Sequence, residues 1–205
     1  MQTITRPEGD TIGYTCDARG NVTQVVNTGW NLARPVKITT NANFDTTCTY
    51  PAKCNQPNWT KDGNGYQTDY GYNTSTGQVT SIIRPAGANG LRPEADFSYT
   101  SEYAWYKNSA GTIVKAASPG SMLTKVSQCA TAQTCAGTAN AVPSTFVYGT
   151  SGVANNLLPT SVTQGAGDGS LAATTGYGFN RAWEKGTGSL VHCVGSRARA
   201  APDET

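Results

Sequence analysis

The sequence predicts an all-β fold built as an array of antiparallel β-hairpins. The first observation is composition: the 205 residues include 30 Thr, 15 Asn, 23 Gly and 10 Pro. Thr, with Tyr, Val and Ile, favours strands, whereas Gly, Asn and Pro favour turns. The second observation is a polar turn that recurs along the chain. The third is that no window of about 15 residues combines a helical period with freedom from Gly, Pro and β-branched residues, which excludes long helices.

Charge and hydropathy limit the kinds of partner that the sequence predicts. Only 14% of residues are charged, and 15 basic against 13 acidic residues give a net charge of +2. This balance predicts no nucleic-acid partner, and the absence of any run of about 20 apolar residues predicts no membrane insertion. The sequence contains no phosphate loop, dinucleotide fingerprint or metal-ligand motif. We therefore predict neither a cofactor nor a metal.

The recurring turn begins with Asp or Asn and reaches Gly three or four residues later. Its clearest copy follows Tyr14, with Asp17, Gly20 and then alternating Val. Two further clear copies have Asn73 with Gly77, where one residue is inserted, and Asn108 with Gly111. The weaker copies are Asp62 with Gly65, Gly149 with Gly152, and Asn180, which no glycine follows.

This residue order has a specific physical reason. The Asp or Asn side chain accepts hydrogen bonds from backbone N–H groups two or more residues later and so fixes the entry to the turn. The glycine then adopts a left-handed conformation that closes a short hairpin. A single hairpin is marginal in water, so the copies are expected to pair edge to edge.

These residues resemble the YD-repeat (Rhs) family, whose units read roughly Tyr-x-Tyr-Asp-x-x-Gly-x-Leu/Val. The match is closest at residues 14–25 and 70–82, and with the weaker copies it covers about residues 10–180. Residues 54–85 also look like the shell segments of bacterial Rhs-type proteins. The resemblance implies that residues 1–180 form a repeat region within a long curved sheet, part of a hollow shell.

The resemblance also implies a function. It implies a non-enzymatic structural segment of a secreted or cell-surface protein, whose β-shell encloses or presents a C-terminal toxin domain. The implied partners are other repeats of the same or a parent chain, the toxin domain, and glycans. The family's Asp-Pro-x-Gly motif and a recognisable toxin domain are both absent from the sequence.

The pattern ends after Asn180. Trp183 stands where the next glycine is expected, and we predict a disordered or irregular tail over residues 181–205. Neither end supplies a terminal unit with a polar outer face, and the start shows no signal peptide. We therefore expect a fragment of a larger array or a truncated reading frame, with a dedicated C-terminal cap as the alternative.

The cysteines show two matched pairs, each with five intervening residues. Such pairs close small loops as disulfides in an oxidising compartment, and independent buried thiols are the open alternative. Structural zinc sites use shorter spacings, so zinc is not predicted. The polar segment 129–142 predicts an exposed loop. The candidate disulfides join Cys48 to Cys54 and Cys129 to Cys135; Cys16 and Cys193 remain.

The sequence predicts no catalytic residues. Nucleophilic catalysis needs a positioned imidazole, and the one histidine, His192, lies in the predicted tail. A hydrolase that uses paired carboxylates would need two acidic side chains close together. The turn position is Asp in Asp17 and Asp62 but Asn in Asn73 and Asn108, which indicates hydrogen bonding there and not acid–base chemistry.

Aromatic residues offer an alternative function, a carbohydrate-binding surface. Side chains two residues apart on a strand share a face, and Trp and Tyr rings stack well on sugars. The other reading is that these aromatics pack hairpins against each other. The candidate carbohydrate-binding residues are Trp59, Tyr70, Tyr72, Tyr103 and Trp105.

Overall fold

The protein is all-β, as the sequence predicts. The computed structural model describes residues 1–29, 37–129 and 134–179, together with the backbone of residues 191–193. The regular secondary structure of these residues consists of antiparallel strands, and no helix among them has the length and apolarity needed to cross a bilayer. The chain divides into two compact units, Met1–Glu94 and Ala95–Thr205.

The first unit is a meander in which each strand pairs with the next one in the chain. The register places Tyr14 opposite Val25 and Tyr70 opposite Ile82. Short turns join most of the strands, because Asp, Asn and Gly interrupt the Thr- and Val-rich runs. The strands are β1 (Gln2–Thr5), β2 (Thr11–Cys16), β3 (Val22–Thr28), β4 (Lys37–Asn43), β5 (Trp59–Lys61), β6 (Gln67–Tyr72) and β7 (Val79–Ile83).

The second unit is also a meander, with two much longer first strands. These pair from Ala95 opposite Gln128 to Lys107 opposite Ile113, with a register shift between Tyr103 and Trp105. Each later strand pairs antiparallel with the strand before it. The strands are β8 (Glu94–Lys107), β9 (Ile113–Cys129), β10 (Ala141–Tyr148), β11 (Pro159–Gly165), β12 (Ala172–Gly176) and β13 (Val191–Cys193).

The predicted tail is described only in part. Within residues 181–205 the structure describes Val191–Cys193, which pair as β13 with β12. The rest of this segment lies outside the described residues, as do the side chain of His192 and the turn position Asn180.

The buried core of the described residues is thin. No large side chain among them is fully buried, and the buried apolar residues are mostly small. Cys129, Cys135 and Ala141 form one buried cluster. The prediction that segment 129–142 is an exposed loop is therefore wrong at these three positions, because the disulfide-bonded Cys129 and Cys135 pack with Ala141 at the start of β10.

Candidate functional site

The turn between β2 and β3 shows how the sequence builds its hairpins. The Asp17 carboxylate accepts hydrogen bonds from the backbone N–H groups of Arg19 and Asn21, both at 2.9 Å. Gly20 follows with a φ of +87°, in the left-handed region that favours glycine. The Asn21 side-chain amide also donates to the carboxylate, and these hydrogen bonds lower the pKa of Asp17.

Three other predicted turns are fixed in the same way, and the turn at Asn73 is one residue longer, with the Gly77 N–H bonded to the Asn73 carbonyl. Asp62 lies between β5 and β6, Asn73 between β6 and β7, and Asn108 between β8 and β9. In each, the side-chain oxygen accepts from two later backbone N–H groups at 2.9 to 3.1 Å. The glycines have φ values of +83° at Gly65, +73° at Gly77 and +79° at Gly111.

The Asp/Asn-to-Gly pattern missed three turns that close in the same way. Their first residues are Arg6, Gly87 and Ala166, whose carbonyls accept from the N–H of a glycine three residues later. Those glycines also have positive φ values, between +74° and +91°. The signal that could have found them is the glycine position alone, at Gly9, Gly90 and Gly169.

The weak copy at Gly149 and Gly152 is not a tight hairpin turn. The Gly149 N–H bonds to the carbonyl of Leu158, so ten residues separate β10 from β11. Gly152 has a φ of +86°, but it closes only a small bend that starts at Thr150. This loop contains Asn156, which is a buried polar residue.

Arg19 lies between Asp17 and Gly20 in the first turn. It connects that turn to the loop between β4 and β5 (residues 44–58, here the disulfide-bonded loop), which contains the Cys48–Cys54 bond. Its guanidinium donates to the backbone carbonyls of Asp45, Thr46 (3.2 Å) and Cys54 (3.3 Å). It also lies 3.4 Å from the Asp17 carboxylate. The turn therefore anchors a loop that is 26 to 35 residues away in sequence.

A second set of polar contacts joins residues within the same loop. The Lys53 ammonium lies 2.9 Å from both Asp45 carboxylate oxygens and donates to Asn58 at 2.8 Å. Asn58 in turn donates to Asp45 and to Asn43 on β4. The hydrogen bonds from Lys53 and Asn58 hold the pKa of Asp45 below its ordinary value.

The lowered pKa of Asp45 predicts that its contribution to the free energy of unfolding is lost in acid. A carboxyl group with a lowered pKa in the folded state stabilises the fold above its unfolded pKa, and this contribution is lost as pH falls through the folded pKa. We expect the free energy of unfolding, measured by urea titration, to decrease below about pH 4. Asp45→Asn should weaken this decrease; a variant with unchanged pH dependence would contradict the assignment.

Both disulfides predicted from the matched spacing are formed. Cys48 bonds to Cys54 and Cys129 to Cys135, with Cα atoms 5.0 and 5.6 Å apart. Cys16 is a free, exposed thiol. Disulfides are typical of proteins in an oxidising, extracellular compartment.

The loop that Cys48–Cys54 closes also covers the turn at Gly77. Gln56 donates from its side-chain amide to the carbonyls of Gly77 (2.7 Å) and Ala52 (3.1 Å). A Cβ added to Gly77 would collide with the Ala52 carbonyl, and Gly77 is itself buried. By contrast, a Cβ at Gly20, Gly65 or Gly111 would meet open space.

The predicted carbohydrate-binding aromatics of the first unit lie on β5 and β6. The rings of Tyr70 and Tyr72 stack with centroids 6.4 Å apart, and Lys61 lies 5.2 Å from the Trp59 ring. The Tyr72 hydroxyl donates to the Pro57 carbonyl at 2.9 Å, and burial raises the pKa of Tyr72. All three aromatic side chains are half-buried and have intramolecular contacts.

The other two candidates, Tyr103 and Trp105, lie on β8 in the second unit. The Lys115 ammonium lies 3.6 Å from the centroid of the Tyr103 ring. The Trp105 indole N–H donates to the Ser151 hydroxyl at 3.2 Å. The five predicted aromatics thus divide between the two units, three in the first and two in the second.

Two acidic residues of the first unit, Asp62 and Asp69, have structural partners. Asp62 holds its turn, as described above. Asp69 lies 2.5 Å from the Arg92 guanidinium and accepts from the Gln67 amide at 2.6 Å. Arg92 also donates to the carbonyls of Gln67 and Ile83, which links β6 to the end of β7.

Comparisons with known proteins add little to this description. No protein-family model matches the chain, and no curated protein matches it. Among solved structures, a porin-like protein from Bacteroides uniformis ATCC 8492 is similar over 89% of this chain and 87% of that chain. The sequence identity is 10% and the TM-score is 0.31, and at that TM-score the likeness carries no inference.

Proposed function

We propose that this chain is a non-enzymatic structural segment of a secreted or cell-surface protein of the Rhs/YD-repeat kind. Its hairpins would be part of a β-shell that encloses or presents a C-terminal effector (toxin) domain. The observation that carries the proposal is the repeated turn: four Asx–Gly bends, three with the glycine three residues after the Asx and one with it four residues after, join consecutive strands in both units. The partners are other repeats of the same or a parent chain.

Two further observations support a scaffold role. The described residues lack a fully buried large side chain, which is expected of a sheet that is one layer of a larger wall. The two disulfides close small loops, and disulfides are common in extracellular proteins. A wall segment needs stable loops and regular hairpins and does not need a constellation of reacting groups.

The β1 strand offers a direct test of pairing with other repeats. All four of its residues are exposed, and it pairs with β2 at the edge of its unit. We expect the protein to self-associate with rising concentration, because an open strand edge is a template for another strand. Ile4→Lys places a charge on this edge and should raise the concentration needed for association about tenfold, measured by light scattering.

Ile38→Lys is the matched control for this experiment. Ile38 is also an exposed isoleucine (47%, against 55% for Ile4), but it lies on β4, opposite Asn27 of β3, and β4 is not an edge strand because it also pairs with β5 over Asn41–Asn43. This variant should associate like the unmodified protein. A protein that remains monomeric at all concentrations, or equal effects of the two lysines, would contradict the proposed function.

Carbohydrate binding is a second candidate function, which one groove of the first unit favours. The groove has a volume of about 450 Å³ and lies between the disulfide-bonded loop and β6. Its lining combines threonine hydroxyls with tyrosines and the Asp45–Lys53 pair, and such a mixture suits a polyhydroxylated ligand. A glycan array separates the two functions, since a passive scaffold binds no saccharide.

A further inference from the structure

The loop between β10 and β11 (residues 149–158, here the clasp loop) contacts β8 through its asparagines. The Asn156 side chain is 3% exposed. Its oxygen accepts from the Trp105 backbone N–H at 2.8 Å, and its nitrogen donates to the Tyr103 carbonyl at 2.9 Å. The Asn155 backbone N–H donates to the Trp105 carbonyl at 2.6 Å. Three backbone groups of β8 are thus occupied.

These contacts reproduce what a neighbouring strand would supply. A carboxamide carries the same acceptor and donor as a peptide group, so Asn156 satisfies one N–H and one C=O of the strand at once. The Asn155 N–H adds the third bond of a short ladder. A backbone N–H has one proton to donate, so the Trp105 N–H is not available to another strand.

The shape of the clasp loop fits it for this contact. Asn155 has a φ of +71° and is the one non-glycine residue with a positive φ in the described part of the chain. Asparagine tolerates this conformation better than most residues. A Cβ added to Gly149 would lie 3.0 Å from the Asn156 Cα, so the glycine permits the close approach. Ser151, from the same loop, accepts from the Trp105 indole.

Without the clasp loop, the backbone groups of β8 at Tyr103 and Trp105 would be open to pairing with another strand. The pairing of β8 with β9 shifts register between Tyr103 and Trp105, so the regular ladder is interrupted beside it. Exposed backbone groups at the edge of a long strand invite pairing with another chain.

We propose that the clasp loop is an intramolecular block that keeps the Tyr103–Trp105 stretch of β8 from pairing with an extended strand of a second copy of this chain. The proposal goes beyond the scaffold role, because it assigns a protein-interaction edge and the residues that keep it closed. Removing the Asn156 carboxamide opens the edge. The free edge then pairs with a strand of another molecule.

The test uses the full chain with Ile4→Lys, so that association through β1 does not mask association through β8. Asn156→Ala removes the carboxamide. Asn155→Gly is the matched control, since glycine accepts the positive φ and keeps the N–H that bonds to Trp105. Amide hydrogen exchange at Trp105, followed by NMR, reports the edge itself. Light scattering over a concentration series reports association, and circular dichroism reports folding.

We expect Asn156→Ala to speed exchange of the Trp105 amide about tenfold and to form dimers or larger species at concentrations where the parent is monomeric. Asn155→Gly should change neither. If Asn156→Ala does not fold, Asn156→Leu replaces it, because leucine has the same branched shape as asparagine but lacks both the acceptor for Trp105 and the donor to Tyr103. Unchanged exchange, faster exchange without added association, or an equal effect of Asn155→Gly would overturn the proposal.

Discussion

Gly77→Ala is expected to lower the free energy of unfolding by about 3 kcal/mol, the largest effect that we predict for a single turn residue. Two costs combine at this position. An alanine at a φ of +73° is strained, and its Cβ would collide with the backbone carbonyl of Ala52. A backbone carbonyl in a disulfide-bonded loop cannot move aside as a flexible side chain can.

Gly111→Ala is the matched control for this substitution. Gly111 has a φ of +79° and is likewise the glycine that closes an Asn turn, but a Cβ there would meet no atom within 4 Å. Only the conformational cost remains, about 1 kcal/mol. Urea titrations of the two variants measure the difference. Equal losses would show that the loop does not press on Gly77.

Removal of the Cys48–Cys54 disulfide should lower the free energy of unfolding by about 2 kcal/mol. The bond closes residues 48–54 into a small loop, which supplies the Cys54 carbonyl that binds Arg19 and the Ala52 carbonyl that covers Gly77. Replacing both cysteines by serine removes the bond without a reductant, and urea titration measures the loss.

The effects of removing the Cys48–Cys54 disulfide and of Gly77→Ala should be coupled. In the serine variant the loop can move away, so Gly77→Ala should cost about 1 kcal/mol less there than in the oxidised protein. The Cys129–Cys135 pair has the same separation but lies in the second unit, and its removal should add to Gly77→Ala without coupling. Additive losses for both pairs would contradict the proposed contact.

The local features were predictable because their causes are local. Asp17 and Gly20 lie three residues apart and form the turn locally, so the same short pattern identifies the bends at Gly65 and Gly111, and the pattern with one inserted residue identifies the bend at Gly77. The two disulfides followed from equal spacing. The turn at Gly9 was missed because its first residue is Arg6, whose contribution is a backbone carbonyl that any residue supplies.

The features that distinguish otherwise equivalent positions depend on distant partners. The sequence treats Gly77 and Gly111 alike, because only folding brings Ala52 and Gln56 against the first of them. Asn156 carried no signal for the same reason: its partners lie 51 and 53 residues away. In a Thr- and Asn-rich chain, no neighbouring sequence feature distinguishes a buried asparagine from an exposed asparagine.

The order of strands within each unit determines how the protein should lose its structure. Within a unit, each strand is hydrogen-bonded to the strands next to it in sequence, and no fully buried large side chain connects distant described strands. Stability then resides in a series of neighbour-to-neighbour interfaces. Thermal unfolding should therefore begin at terminal strands such as β1 and proceed inward one strand at a time. The transitions should be broad and should differ between spectroscopic probes.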